Sequence, residues 1–87
     1  MKIGHSSEEI VYAIKQKISS ITQQVETNFQ TDVPLRELGV DSVKTINLIV
    51  QLEQQFGIRF EDEELMLDNS RTIEKLAKHI LNKLFEK

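Results

Sequence analysis

The 87-residue sequence predicts an all-α domain of three main helices plus one short helix, with a long loop between helices one and two. Three observations predict this class. Apolar residues recur at three- and four-residue steps in three separate stretches, the spacing of a buried helical face. Capping or breaking residues bracket those stretches. Nowhere do apolar and polar residues alternate convincingly enough for a strand. Without an internal repeat or a linker, the expectation is one domain over residues 1–87 with its core at about 6–85.

The first helix is expected to start near Ser6 or Ser7, where Ser6 and Glu9 have the spacing of a capping box. Ile10, Val11, Ile14, Ile18 and Ile21 form its apolar face, which fades between Ser19-Ser20 and Gln24. From Val25 to Val40 the period is lost. Asn28, Thr31, Asp32 and Pro34 are turn chemistry, whereas Val25, Phe29, Leu35 and Leu38 can tack the loop to a core. "PLREL" is compatible with one short helical turn, which Gly39 can end with a positive φ.

The second helix should run from about Ser42 to Gln55 or Phe56 and stop at Gly57. After "IRF", the stretch "EDEELML" reads as a short helix with acids at its N-terminal end, where the helix dipole favours them. Asn69, Ser70 and Thr72 offer caps for a last helix whose stripe is Ile73, Leu76, Ala77, Ile80, Leu81 and Leu84.

Composition narrows the function classes. The net charge is −3, and there is no Lys/Arg cluster with which to neutralise phosphates, so nucleic acid is not an expected partner. No apolar stretch approaches the length of about 20 residues that crosses a bilayer, and the N-terminus lacks the apolar run of a signal peptide. A cytoplasmic protein without a membrane partner is expected. The absence of Cys removes disulfides, thiolate metal sites and a thiol nucleophile.

The second helix has more apolar surface than a small domain can bury. On a helical wheel with Val43 at the origin, Leu48, Ile49, Leu52 and Phe56 fall between about 140° and 240°, an ordinary core stripe. Val43, Ile46 and Val50 fall between about 300° and 0°, nearly opposite. Lys44, Asn47, Gln51, Glu53 and Gln54 rim this second stripe. Such a stripe is either a docking surface or a face covered by the loop or the short helix.

Asp41-Ser42 stands where the second stripe meets the helix N-terminus, and either residue could cap the helix. A serine nucleophile needs a base, and the histidines are His5, in the N-terminal lead, and His79, on the last helix. There is no G-x-S-x-G elbow, so a hydrolase is not expected. The acidic run Glu61 to Asp68 lacks the ligand spacing and central Gly of a calcium loop, and no metal site is expected.

Taken together, "DVPLRELGVDSVKTINLIVQLEQQFGIRFEDEEL" and "RTIEKLAKHI" resemble the acyl and peptidyl carrier protein family, the phosphopantetheine-binding, free-standing type II carriers. The likeness runs from about Asp32 to Ile80. It rests on the "LGVDS" approach, Leu48, Leu52 and Phe56, Glu53, the "FGI" exit, "DEEL", and Thr72-Ile73. The resemblance implies a four-helix carrier bundle that is not itself an enzyme. It implies a 4'-phosphopantetheine arm derived from coenzyme A, attached to Ser42 by a phosphopantetheinyl transferase, with Asp41 assisting through the transferase and its metal. The arm's thiol would carry an acyl, aminoacyl or polyketide group as a thioester. The chain needs no Cys because the working thiol is imported. Val43, Ile46, Asn47, Val50 and Glu53 become the implied docking face. The implied partners are the transferase, a loading enzyme (adenylation enzyme or acyltransferase), and a ketosynthase or condensation enzyme.

Two departures from the family pattern bear on the pathway. Val43 replaces the usual leucine, a conservative change. Lys44, Asn47, Gln54 and Gln55 stand where housekeeping fatty-acid carriers are acidic, leaving Glu53 as the helix's one acid. The expectation is therefore a carrier in polyketide or nonribosomal-peptide metabolism. A housekeeping fatty-acid acyl carrier protein is the alternative, and an unmodified helical protein-interaction module is the alternative of another class. A monomer is expected, although the second apolar stripe points the other way.

Overall fold

The computed structural model describes residues 7–24, 29–61 and 71–85. They form α1 (Ser7–Thr22), a 3-10 turn (Leu35–Leu38), α2 (Ser42–Phe56) and α3 (Ile73–Phe85). No strand occurs among the described residues, so the all-α class holds. The short acidic helix expected at "EDEELML" lies outside the described residues apart from Glu61, as do Ser6, Val25, Asn69 and Ser70.

α1 packs against both α2 and α3. Its predicted face supplies Ile10, Ile14 and Ile18 to the core, with Val11 and Ile21 at the margin. Where the sequence suggests fading, the helix stops sharply. Gln23 adopts φ 59°. Its N–H donates to the Ser20 carbonyl at 3.3 Å, and the Gln24 N–H donates to the Ser19 carbonyl at 3.0 Å. These paired bonds form a Schellman cap with glutamine in the position that usually takes glycine.

The connection is tied down at both ends of its described part. Phe29, Leu35 and Val40 are buried, and Leu38 packs partly against the core. The Leu35 N–H donates to the Arg71 carbonyl at 3.0 Å, and the Glu74 N–H donates to the Thr31 carbonyl at 3.1 Å. The Thr31 hydroxyl bonds Glu74 Oε2 at 2.9 Å. The entry to α3 therefore holds the approach to α2. Of the three candidate caps of α3, Thr72 serves, its Oγ1 accepting the Lys75 N–H at 3.1 Å.

α2 buries Leu48, Ile49 and Leu52, with Phe56 half-buried. Thr45 is also buried. Its hydroxyl donates to the Asp41 carbonyl at 2.8 Å, which satisfies it within its own helix. Gly57 ends α2 with φ 66°. Ile58 and Phe60 then turn inward, and the α3 stripe of Ile73, Leu76, Ala77 and Ile80 closes the core. Among the described residues, no helix is long and apolar enough to cross a membrane.

Candidate functional site

The local sequence builds the site from its approach onward. Gly39 ends the 3-10 turn with φ 90°, a conformation that L side chains rarely adopt. A Cβ there would lie 3.2 Å from Gln24 Nε2. That amide donates to the Leu38 carbonyl at 2.9 Å and to Thr22 Oγ1 at 2.8 Å. The end of α1 thus grips the strand of backbone that leads into α2. Val40, almost wholly buried, is the next anchor, so Asp41 and Ser42 emerge from a fixed point.

Asp41, not Ser42, caps α2. Asp41 Oδ1 accepts the Lys44 N–H at 2.8 Å. Its second oxygen stands 3.5 Å from the Lys44 ammonium. The Lys44 N–H holds the Asp41 carboxyl below its ordinary value, helped by the Lys44 charge and the Val43 N–H, while desolvation opposes them. Ser42 is the first helical residue, exposed, and its hydroxyl takes no hydrogen bond among the described residues. Capping therefore does not occupy the serine, whose hydroxyl stands exposed and without a partner among the described residues at the mouth of a 15-residue helix.

The two stripes of α2 separate as the wheel predicts. Val43 is 76% exposed, Ile46 62% and Val50 42%, whereas Leu48 and Leu52 are fully buried. The described loop does not cover the second stripe. Asn47 borders it and accepts from Gln51 Nε2 at 3.1 Å. Glu53 is partly committed elsewhere, its Oε2 accepting the Phe60 N–H at 2.9 Å. That bond was not legible in the sequence, because it joins a helix side chain to a backbone group beyond the next turn.

His79 is placed away from the serine. Its ring stacks on Phe60 with centroids 5.4 Å apart. Phe60 is held by Glu53, roughly 16 Å along α2 from Ser42 at about 1.5 Å per residue. Among the described residues, no three His, Asp or Glu side chains converge on a metal position.

The comparisons with known proteins agree with this geometry. The family model described as a phosphopantetheine attachment site matches residues 13–80. An acyl carrier protein homolog of Mycoplasma genitalium is 36% identical over 81 residues, covering 87% of this chain and 94% of its own. One from Mycoplasma pneumoniae is 40% identical over 63 residues, covering 63% of this chain and 75% of its own. The acyl carrier protein of Buchnera aphidicola is 39% identical over 51 residues, covering 59% and 61%. No solved structure matches. The chain belongs to the phosphopantetheine-binding carrier proteins, and its prosthetic group is a covalently attached 4'-phosphopantetheine. The residues present suit such a group: an exposed hydroxyl without a partner among the described residues, a helix N-terminus whose dipole favours an anion, and a lysine within the same turn. The Lys44 N–H is already taken by Asp41 Oδ1 at 2.8 Å, so the helix dipole and the Lys44 ammonium remain to meet an anion at this helix start.

Proposed function

We propose that Ser42 carries the phosphopantetheine arm and that this chain presents acyl groups, held as thioesters on the arm's thiol, to partner enzymes. The observation that carries the reading is the Ser42 hydroxyl at the exposed start of α2, without a partner among the described residues and inside the span matched by the family model. The protein's own contribution is positional. Gly39, Val40 and the Gln24 clamp fix where the serine emerges, and Asp41 takes the capping role that would otherwise engage it. Val43, Ile46 and Val50 form the face read by the transferase and later partners, with Asn47 and Glu53 at its border.

The role in polyketide or nonribosomal-peptide assembly draws its support from α2, where Lys44 and Glu53 are the two charged side chains. The names of the relatives, all acyl carrier proteins or their homologs, favour an acyl cargo and support fatty-acid synthesis as a second reading. Incubation with coenzyme A and a promiscuous phosphopantetheinyl transferase tests the attachment. The expected result is a mass gain of one phosphopantetheine per chain, absent in Ser42→Ala. An unchanged mass beside a modified control carrier would sink the proposal. Supplying ketosynthases or condensation enzymes from each pathway to the loaded protein separates the two roles.

A further inference from the structure

We infer that the cleft beside the start of α2, between the end of α1 and the 3-10 turn, seats the phosphopantetheine arm of this same chain, with Lys44 paired to its phosphodiester. The inference rests on Ser42 as the attachment point. The cleft is open to solvent, has a volume of about 620 Å³, and has Thr22, Gln24, Phe29, Leu38, Gly39 and Lys44 among its lining residues. Lys44 lines the cleft and, with its ammonium 3.5 Å from Asp41 Oδ2, links it to the residue that precedes Ser42.

A phosphodiester on Ser42 places a second anion next to Asp41. The Lys44 N–H is already directed at Asp41 Oδ1, so it is poorly placed to take it. The Lys44 ammonium, on a long and half-exposed side chain, can turn from the carboxylate to the phosphodiester or bridge the two. Either arrangement draws the first atoms of the arm toward the cleft.

The walls match the rest of the arm, which alternates a dimethyl-bearing carbon with a hydroxyl and two amides. Phe29 and Leu38 give an apolar side. Gln24 spends both N–H donors on Thr22 and Leu38, leaving its carbonyl oxygen for an incoming amide N–H. Glu37, also in the lining, adds a second acceptor. The clamp from Gln24 to Leu38 fixes the width of the cleft. Tethering keeps the local concentration of the arm in roughly the millimolar range, so weak contacts suffice to populate the seat.

The test compares apo and holo protein by NMR, with isotope-labelled arm and modification confirmed by mass. Contacts are expected between the arm's methyl protons and the Phe29 ring and Leu38 methyls. Amide shifts should appear at Gln24, Leu38 and Gly39. In holo Lys44→Glu these contacts should be lost and the amides should return toward their apo positions. Full mass gain with shifts confined to residues 41–45 overturns the seat alone. So does a Lys44→Glu spectrum in which the cleft contacts persist. Absence of any mass gain in the wild-type chain overturns the Ser42 reading and the seat with it.

Discussion

The Asp41 carboxylate engages Lys44 twice, accepting its backbone N–H at 2.8 Å through Oδ1 and standing 3.5 Å from its ammonium through Oδ2. Both contacts favour the ionised carboxylate, and neither uses the serine between them. The helix cap and the candidate attachment hydroxyl are therefore neighbouring residues with separate tasks.

Because its pKa is lowered in the folded state, Asp41 adds stability that is complete above its unfolded value near 3.8. That contribution is lost as pH falls through the lower folded value. Asp41→Asn keeps an acceptor for the cap and removes the titration. The stability difference between wild type and variant should be flat above the unfolded value and shrink with acidification below it. Urea midpoints across that range check this, and a difference that grew on acidification would contradict the assignment.

Since Ser42 does not cap the helix, Ser42→Ala should change stability by no more than about 0.5 kcal/mol while abolishing the mass gain. A loss of about 1 kcal/mol or more would return the serine to the capping role. Chemical denaturation and intact-mass measurement on the same sample give both answers.

Gln23 occupies a left-handed position, φ 59°, with both Schellman bonds made around it. Glycine removes the Cβ conflict, so Gln23→Gly should raise stability by up to about 1 kcal/mol. Urea unfolding reads the sign directly, and a destabilised variant would refute the account of the cap.

Glu53 Oε2 holds the Phe60 N–H at 2.9 Å in a partly buried setting. Glu53→Ala leaves that donor without its partner and should cost about 1–3 kcal/mol, whereas Glu53→Gln retains an acceptor and should cost less. Equal losses in the two variants would assign the effect to something other than this bond.

The two faces of α2 should respond oppositely. Leu52→Ala removes a fully buried side chain and should cost about 2–5 kcal/mol. Val43→Ala and Ile46→Ala should stay within about 0.5 kcal/mol yet slow modification by the transferase. With so few charges on α2, that reaction should also depend less on ionic strength than it does for a carrier with an acidic helix. Parallel salt titrations of the two carriers decide the point.

Much of this was legible in the sequence. The stripes of α1, α2 and α3 follow a 3.6-residue period that is a local property, and Ile10, Leu48 and Ile73 are buried where that period places them. The exposed stripe through Val43, Ile46 and Val50 follows from the same arithmetic. Thr45 was legible too, since at about 200° on the wheel it falls inside the core stripe. The short acidic helix falls outside the described residues.

By itself the sequence determined the helices, their buried faces and the position of a serine at a helix mouth, because each depends on residues a few positions apart. Only the tertiary structure decided which of Asp41 and Ser42 became the cap. That choice turns on a one-residue offset in where the chain arrives, set by Val40 in the core, by Gly39 at φ 90° and by the grip of Gln24 on Leu38. The diversion of Glu53 to Phe60 and the pinning of the loop to α3 through Thr31 and Glu74 were decided in the same way. Helical period is written within a few residues, whereas contacts between distant segments exist only once the core has fixed the distance between them.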